Sequence, residues 1–324
     1  MDSQRKYLVL ILYLLHCLAE RCCGFVEQAA NVAVCAAVRE RAEDILEWVS
    51  YHKYIGISKF YLMITDDPKV GHVKEVLRAF WEQGTVEIYH LPYVNPRTVQ
   101  QLQVRLYSIC LESVRCVTSL TVMSFTKPKN EWKTGNVLCC REDHDFLGFW
   151  DVDEFVMPNV NQITGQEANI SIFLSNFTHF GGLALNWRIV GPSGHDLKPS
   201  GGVLKNYNRC TPWSYKENEE IKSIVNTKYA LKPTSDPHTF VFKDGYFAVD
   251  NNGRQVQGGV HSLGVESPPR FALYHFVTKS KSEYEEKMKR GSAMGNRKTI
   301  SYFNEIESAA NVTCEEGILM SNNI

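Results

Sequence analysis

Apolar and polar positions alternate along the chain in two periods, and each change of period marks an element. Residues 31–38 (NVAVCAAV) form an unbroken apolar run with β-branched content, the pattern of a strand buried on both faces. In the following EDILEWVSYHKYIG, Ile45, Trp48, Val49 and His52 fall on one helical face, and Gly56 stands where such a helix would stop. Residues 57–64 predict a second strand, 70–83 a second helix before Gly84, and 85–90 a third strand. Val99, Leu102, Leu106, Ile109 and Cys110 share one face of a helix predicted over 98–113. DFLGFW at 145–150 predicts a further strand that runs directly into DVDEF at 151–155.

This alternation predicts an α/β fold, a mainly parallel sheet with flanking helices. Ligands of such sheets gather at the carboxyl ends of strands, where Asp151 and Asp153 fall. Beyond about residue 160 the pattern loosens into short strands broken by Gly, Pro and Asn: GGLALNWRIVG, KYALK, HTFVFK and RFALYHF. That half reads as an elaboration rather than a second independent domain. Ser282 and Glu285 read as a capping box for a surface helix whose lysines need no partner.

Charge and composition remove several classes. Lys and Arg number 35 against 36 Asp and Glu, so no basic excess exists to hold a polyanion, and nucleic acid is not an expected partner. No apolar run approaches the ~20 residues of a spanning helix, which excludes multi-pass membrane proteins. Arg5 and Lys6 precede the apolar stretch from Tyr7 to Ala19. A basic flank before such a stretch predicts a targeting segment over 1–23, either a cleaved signal peptide or a retained single-span anchor. Acceptor sequons begin at Asn169, Asn176 and Asn311, which fits a secretory route. Of ten cysteines, Cys17, Cys22 and Cys23 belong to the N-terminal segment, and the remaining seven leave the pairing open. No doubled C-x-x-C is present, so a structural zinc site is not expected.

The chemistry concentrates at DVDEF. Two carboxylates one residue apart at a strand end can hold Mn²⁺ or Mg²⁺, hard cations that use few protein oxygens when phosphates complete the shell. A bend there would let one acid take the metal and the other a ribose hydroxyl. The plain alternative is an acidic turn that caps the next element.

Five blocks in order resemble glycosyltransferase family 92, the domain-of-unknown-function-23 group, and related family-2-like glycosyltransferases. They lie at 38–67, 146–156, 186–203, 221–240 and 273–291, and carry the patterns EWxxYH, DxDEF, GxxGH and HFxTKS. The resemblance spans residues 31–316. It implies a GT-A-type nucleotide-sugar-binding fold and a metal-dependent transferase. That enzyme would move a hexosyl group, galactose in members of known activity, from a UDP-sugar to a glycan or glycoprotein acceptor, with inversion. It implies residence in the secretory pathway, in the Golgi lumen, as a single-pass type II or secreted protein that meets membrane only through its N-terminal segment. By resemblance Asp151, Asp153 and His275 match metal ligands. Asp151, Glu47, His52, Lys222 and His238 match the nucleotide-sugar pocket. Asp196 and Asp236 are the candidates for general base.

Each residue also has an ordinary reading. Glu47 reads as helix surface, His52 as a satisfied core histidine, and Lys222 as a solvated charge unless a pocket closes on it. Residues 113–140 depart from the family as an atypical insertion, rich in turn formers over 126–136. Two other classes compete: a glycan-binding protein on a transferase fold without turnover, and a haloacid-dehalogenase-like phosphatase. The second needs a later acidic pair after an apolar strand, which the sequence lacks.

Overall fold

A computed structural model describes residues 29–38, 42–64, 67–90, 99–114, 144–159, 168–262, 268–290 and 299–324. The targeting segment expected over 1–23, and nearly all of the insertion over 113–140, lie outside these residues. No described helix is long and apolar enough to cross a membrane.

The strands are β1 (Val32–Val38), β2 (Lys59–Ile64), β3 (Val86–His90), β4 (Phe146–Phe149), β5 (Glu154–Pro158), β6 (Gly182–Ile189), β7 (Arg209–Cys210), β8 (Ile221–Asn226), β9 (Ala230–Pro233), β10 (Phe240–Phe242), β11 (Ala248–Val249), β12 (Phe271–His275) and β13 (Val312–Thr313). The helices are α1 (Ala42–Tyr54), α2 (Asp67–Val76), α3 (Arg78–Glu82), α4 (Val99–Val114), α5 (Ile170–Ser175), α6 (Val203–Asn206), α7 (Lys281–Arg290), α8 (Ile300–Ala309) and α9 (Glu316–Ser321).

Among the described residues nine strands share one sheet, in the order β3-β2-β1-β4-β8-β6-β12-β5, with β11 added to β6. β3, β2, β1 and β4 are mutually parallel. β8 runs against both β4 and β6, and β12 is parallel to β6. β5 closes the edge antiparallel to β12. The fold is therefore α/β with a mainly parallel sheet. Strands β6, β8 and β12 of the loosely patterned half lie in this same sheet, so that half completes the fold and is not an elaboration upon it.

Side chains alternate across β1. Val32, Val34, Ala36 and Val38 join Ile45, Trp48 and Val49 of α1 in one core. Ala33 and Cys35 join Leu102, Leu106 and Leu111 of α4 in another. Cover on both faces is why β1 reads as a continuous apolar run. Disulfides tie β1 to α4 (Cys35–Cys110) and β7 to the residue after β13 (Cys210–Cys314). Cys116, Cys139 and Cys140 lie outside the described residues. The single helix expected over 70–83 is two, α2 and α3, with Leu77 between them in a non-helical conformation.

Candidate active site

β4, β6 and β12 point one way while β5 and β8 point the other, so the ends of the first three and the starts of the last two meet along one sheet edge. The turn from β4 to β5 brings Asp151, Asp153 and Glu154 there. β8 contributes Lys222 near its start, β12 contributes His275 at its end, and β6 contributes Trp187.

Lys222 is fully buried among acids. Its ammonium lies 3.1 Å from Asp151 Oδ2 and 3.6 Å from Glu154 Oε2. Burial alone would lower its pKa, but Asp151 and Glu154 outweigh that and raise it, so the residue stays charged. It is a counter-ion rather than the solvated charge of its ordinary reading. Asp151 is about one-third exposed, at 35%. Gln103 of α4 donates from Nε2 to its Oδ1 at 3.0 Å and to the Tyr107 hydroxyl at 2.9 Å.

Asp153 is buried beneath the turn. Lys287 of α7 donates to its Oδ2 at 2.6 Å, and His275 Nε2 lies 3.7 Å from the same oxygen. Burial opposes its charge, but Lys287 and His275 prevail and hold it well below the usual carboxylate range. Glu154 has no exposed surface, and its Oε2 accepts from the Asp151 amide at 2.8 Å. Its Oε1 has no hydrogen-bond partner among the described residues and lies 4.0 Å from His275 Nδ1. Burial pushes its carboxyl up to about 8, with Asp151 and Asp153 adding to the rise and Lys222 opposing it.

Two residues matched to the nucleotide pocket are placed elsewhere. β5 is an edge strand, and its outward backbone groups need partners. α1 supplies them. Trp48 Nε1 donates to the Glu154 carbonyl at 2.8 Å and Tyr51 Oη to the Val156 carbonyl at 2.8 Å. His52 Nε2 accepts from the Val156 amide at 3.2 Å, while its Nδ1 donates to the Trp48 carbonyl at 2.8 Å. Those partners fix a neutral tautomer in a fully buried ring, and burial pulls its pKa down to about 3. His52 thus has no nitrogen left for a nucleotide and serves as the core histidine of its ordinary reading. Glu47 accepts from the Val203 and Leu204 amides at 2.5 and 3.0 Å and caps the start of α6. The EWxxYH pattern is a brace for the acid-bearing strand.

The remaining candidates lie around this edge. The Trp187 ring sits between His275 and His238, with centroids 4.5 and 5.5 Å away. Asp236 is beside it: its Oδ1 accepts from the His238 amide at 2.9 Å, and its side chain is 42% exposed. Asp196 is exposed in the loop before α6, and its carbonyl accepts from the Ser282 amide at the start of α7. The capping box of α7 is Ser280 with Glu283, not Ser282 with Glu285: Glu283 Oε2 accepts from the Ser280 amide, and Ser280 Oγ from the Glu283 amide. The chain enters the helix two residues earlier than its polar pattern indicates. One lysine of that helix, Lys287, does have a partner.

Sequence reasoning assigned no role to Gln103, Glu154, Trp187 or Lys287. Glu154 lies inside the DVDEF block, and its acidity was the available signal. Gln103 and Lys287 come from helices distant in sequence and carry no local mark.

A carboxylate oxygen and an imidazole nitrogen are donor types that a divalent cation accepts. Asp153 Oδ2 and His275 Nε2 converge, and the Lys287 ammonium on Asp153 marks a position that already takes a cation. Among the described residues no three His, Cys, Asp or Glu side chains form a complete cage, so ligand oxygens would have to supply the rest of the shell.

Residues 30–257 match the family model for glycosyltransferase family 92. A curated rice protein (Oryza sativa subsp. japonica), described as a glycosyltransferase family 92 protein, is 25% identical over 223 residues, 67% of this chain and 31% of that protein. The chain thus spans about a third of the length of the curated relative it matches. The crystal structure of S. aureus TarS 1-349 aligns at 11% identity with a TM-score of 0.31, over 68% of this chain and 60% of that one.

Proposed function

Because the chain belongs to glycosyltransferase family 92, we propose that it is a GT-A-type transferase. It moves a hexosyl group, galactose first among the candidates, from a UDP-sugar to a glycan or glycoprotein acceptor, with inversion and with Mn²⁺ or Mg²⁺. One observation carries the reading: Asp151, Asp153, Lys222 and His275, scattered over 125 residues of sequence, converge at the carboxyl edge of the sheet.

In this reading Asp153 and His275 would hold the cation, with Asp151 facing solvent toward the nucleotide. A cation held there would offset charge on the departing UDP, a Lewis-acid contribution of several kcal/mol. Lys222 and Gln103 fix the Asp151 carboxylate from two sides, so its oxygens are aimed before the donor arrives. Glu154, kept largely protonated at neutral pH by burial, adds little further negative charge beneath the diphosphate. The acceptor oxygen bonds to the anomeric carbon as the bond to UDP breaks, and the acceptor proton passes to a carboxylate. Asp236 is favoured for that role over Asp196, because His238 and Trp187 connect it to His275. The two disulfides are consistent with an oxidising, secretory compartment, and we place the protein in the Golgi lumen or beyond.

The test is donor hydrolysis by the purified protein with UDP-galactose, UDP-glucose and UDP-N-acetylhexosamines, with and without Mn²⁺. Mn²⁺-dependent release of UDP from one donor is the expected result. Hydrolysis of none under either condition refutes the assignment.

A further inference from the structure

Lys287 is a charged group at this edge to which the transfer reaction above gives no role. Its ammonium donates to Asp153 Oδ2 at 2.6 Å and to the Val277 carbonyl at 2.9 Å, and the side chain is 14% exposed. The same Asp153 oxygen faces His275 Nε2. The ammonium therefore sits on the oxygen that a divalent cation would take. Two cations in contact in a buried site repel strongly, so both cannot hold that oxygen together.

The helix that carries Lys287 is fixed at its start. Ser280 and Glu283 form the capping box, and the Tyr207 hydroxyl donates to Glu283 Oε2 at 2.7 Å. The amides of Lys281 and Ser282 donate to the carbonyls of His195 and Asp196. Tyr284 is fully buried against Phe303. The part free to change place is the lysine side chain, a point charge on a flexible four-carbon stem that suits phosphate.

We propose that Lys287 is an exchangeable resident cation: it closes the divalent-cation position at Asp153 in the donor-free protein and transfers to the diphosphate when nucleotide and metal enter together. The proposal rests on the UDP-sugar reading above. It makes cation and nucleotide binding positively coupled. The diphosphate gives the displaced ammonium a new partner, and the cation takes over the vacated carboxylate. By linkage each ligand raises the affinity of the other by the same factor.

Mn²⁺ binding is read from the electron paramagnetic resonance signal of the free ion, and UDP binding by calorimetry, on wild type, Lys287→Met and Lys287→Gln. Thermal melts followed by circular dichroism establish that each variant is folded, and the Gln variant supplies the measurement if the Met variant is not. Without UDP, the variants should bind Mn²⁺ at least about tenfold more tightly than wild type, a difference of about 1.4 kcal/mol. With Mn²⁺ present they should bind UDP at least about tenfold more weakly. Wild type that binds Mn²⁺ and UDP together, with both variants matching it in both titrations, overturns the exchange and leaves the nucleotide site standing. Wild type that takes up neither Mn²⁺ nor UDP refutes the nucleotide-site reading, and the exchange with it.

Discussion

Replacing Lys222 by Met keeps the apolar stem of the side chain, one atom shorter, and removes its charge. The ammonium is 2% exposed and faces Asp151 at 3.1 Å and Glu154 at 3.6 Å. Removing one member of a buried ion pair costs about 3–5 kcal/mol. Two features reduce that here. Asp151 is 35% exposed and keeps Gln103, and Glu154 can stay protonated because its carboxyl is already raised to about 8. We expect a loss of about 2–3 kcal/mol at pH 7, or roughly 3–4 °C in melting temperature for a chain of this size.

The pH dependence follows from Glu154. Its folded pKa lies above its ordinary value, so the folded state binds more protons than the unfolded state between about 4.5 and 8. Its contribution is fully present below that window and is lost as pH rises through it. Lys222 pulls this pKa down, so the variant moves it higher and extends the loss above pH 8. The gap between wild type and Lys222→Met should widen by about 2 kcal/mol between pH 7 and pH 9.5. Adding Glu154→Gln should remove the widening. Urea denaturation of the four proteins at both pH values measures it. A gap that stays constant, or a Lys222→Met protein as stable as wild type, refutes this account of the site.

Asp153→Asn keeps the side-chain shape but not the charge, and donor hydrolysis in Mn²⁺ should fall at least about a hundredfold; wild-type turnover would remove Asp153 from the cation site. Peptide mapping without reduction should recover Cys35 linked to Cys110 and Cys210 linked to Cys314, and loss of the second link by Cys314→Ser should cost about 2–4 kcal/mol in chemical denaturation. Endoglycosidase-sensitive glycans in the folded protein should map to exposed Asn176 and Asn311 and not to Asn169. The Asn169 amide oxygen caps α5 by accepting from the Ser171 and Ile172 amides, so Asn169→Ala should leave gel mobility unchanged and cost about 1 kcal/mol of stability.

The amino-acid sequence by itself determined the first half of the sheet and the position of its acids. β1 coincides with the apolar run at 32–38, α1 with the three-and-four spacing, and Asp151 and Asp153 with the carboxyl end of β4. Those features are local: a strand covered on both faces or a helix with one apolar face shows its period in consecutive residues. β8 escaped such reading because all six of its residues are buried although Lys222, Ser223 and Asn226 are polar. Their partners, Asp151, the His238 carbonyl and the Thr178 carbonyl, lie far away in sequence.

Tertiary structure alone decided which polar groups have a chemical role. Glu47 and His52 stand in the same motif as Trp48 and Tyr51, and no spacing rule reveals that the motif's free hydrogen-bonding groups are spent on β5 and α6. Lys287 lies on a helix whose other lysines, Lys281 and Lys289, are exposed. Its pairing with Asp153 arises only when β12 and the capping box aim α7 at the β4–β5 turn. Hydrophobic periodicity is written along the chain, whereas a charge acquires its role from whatever the folded chain brings within a few ångströms of it.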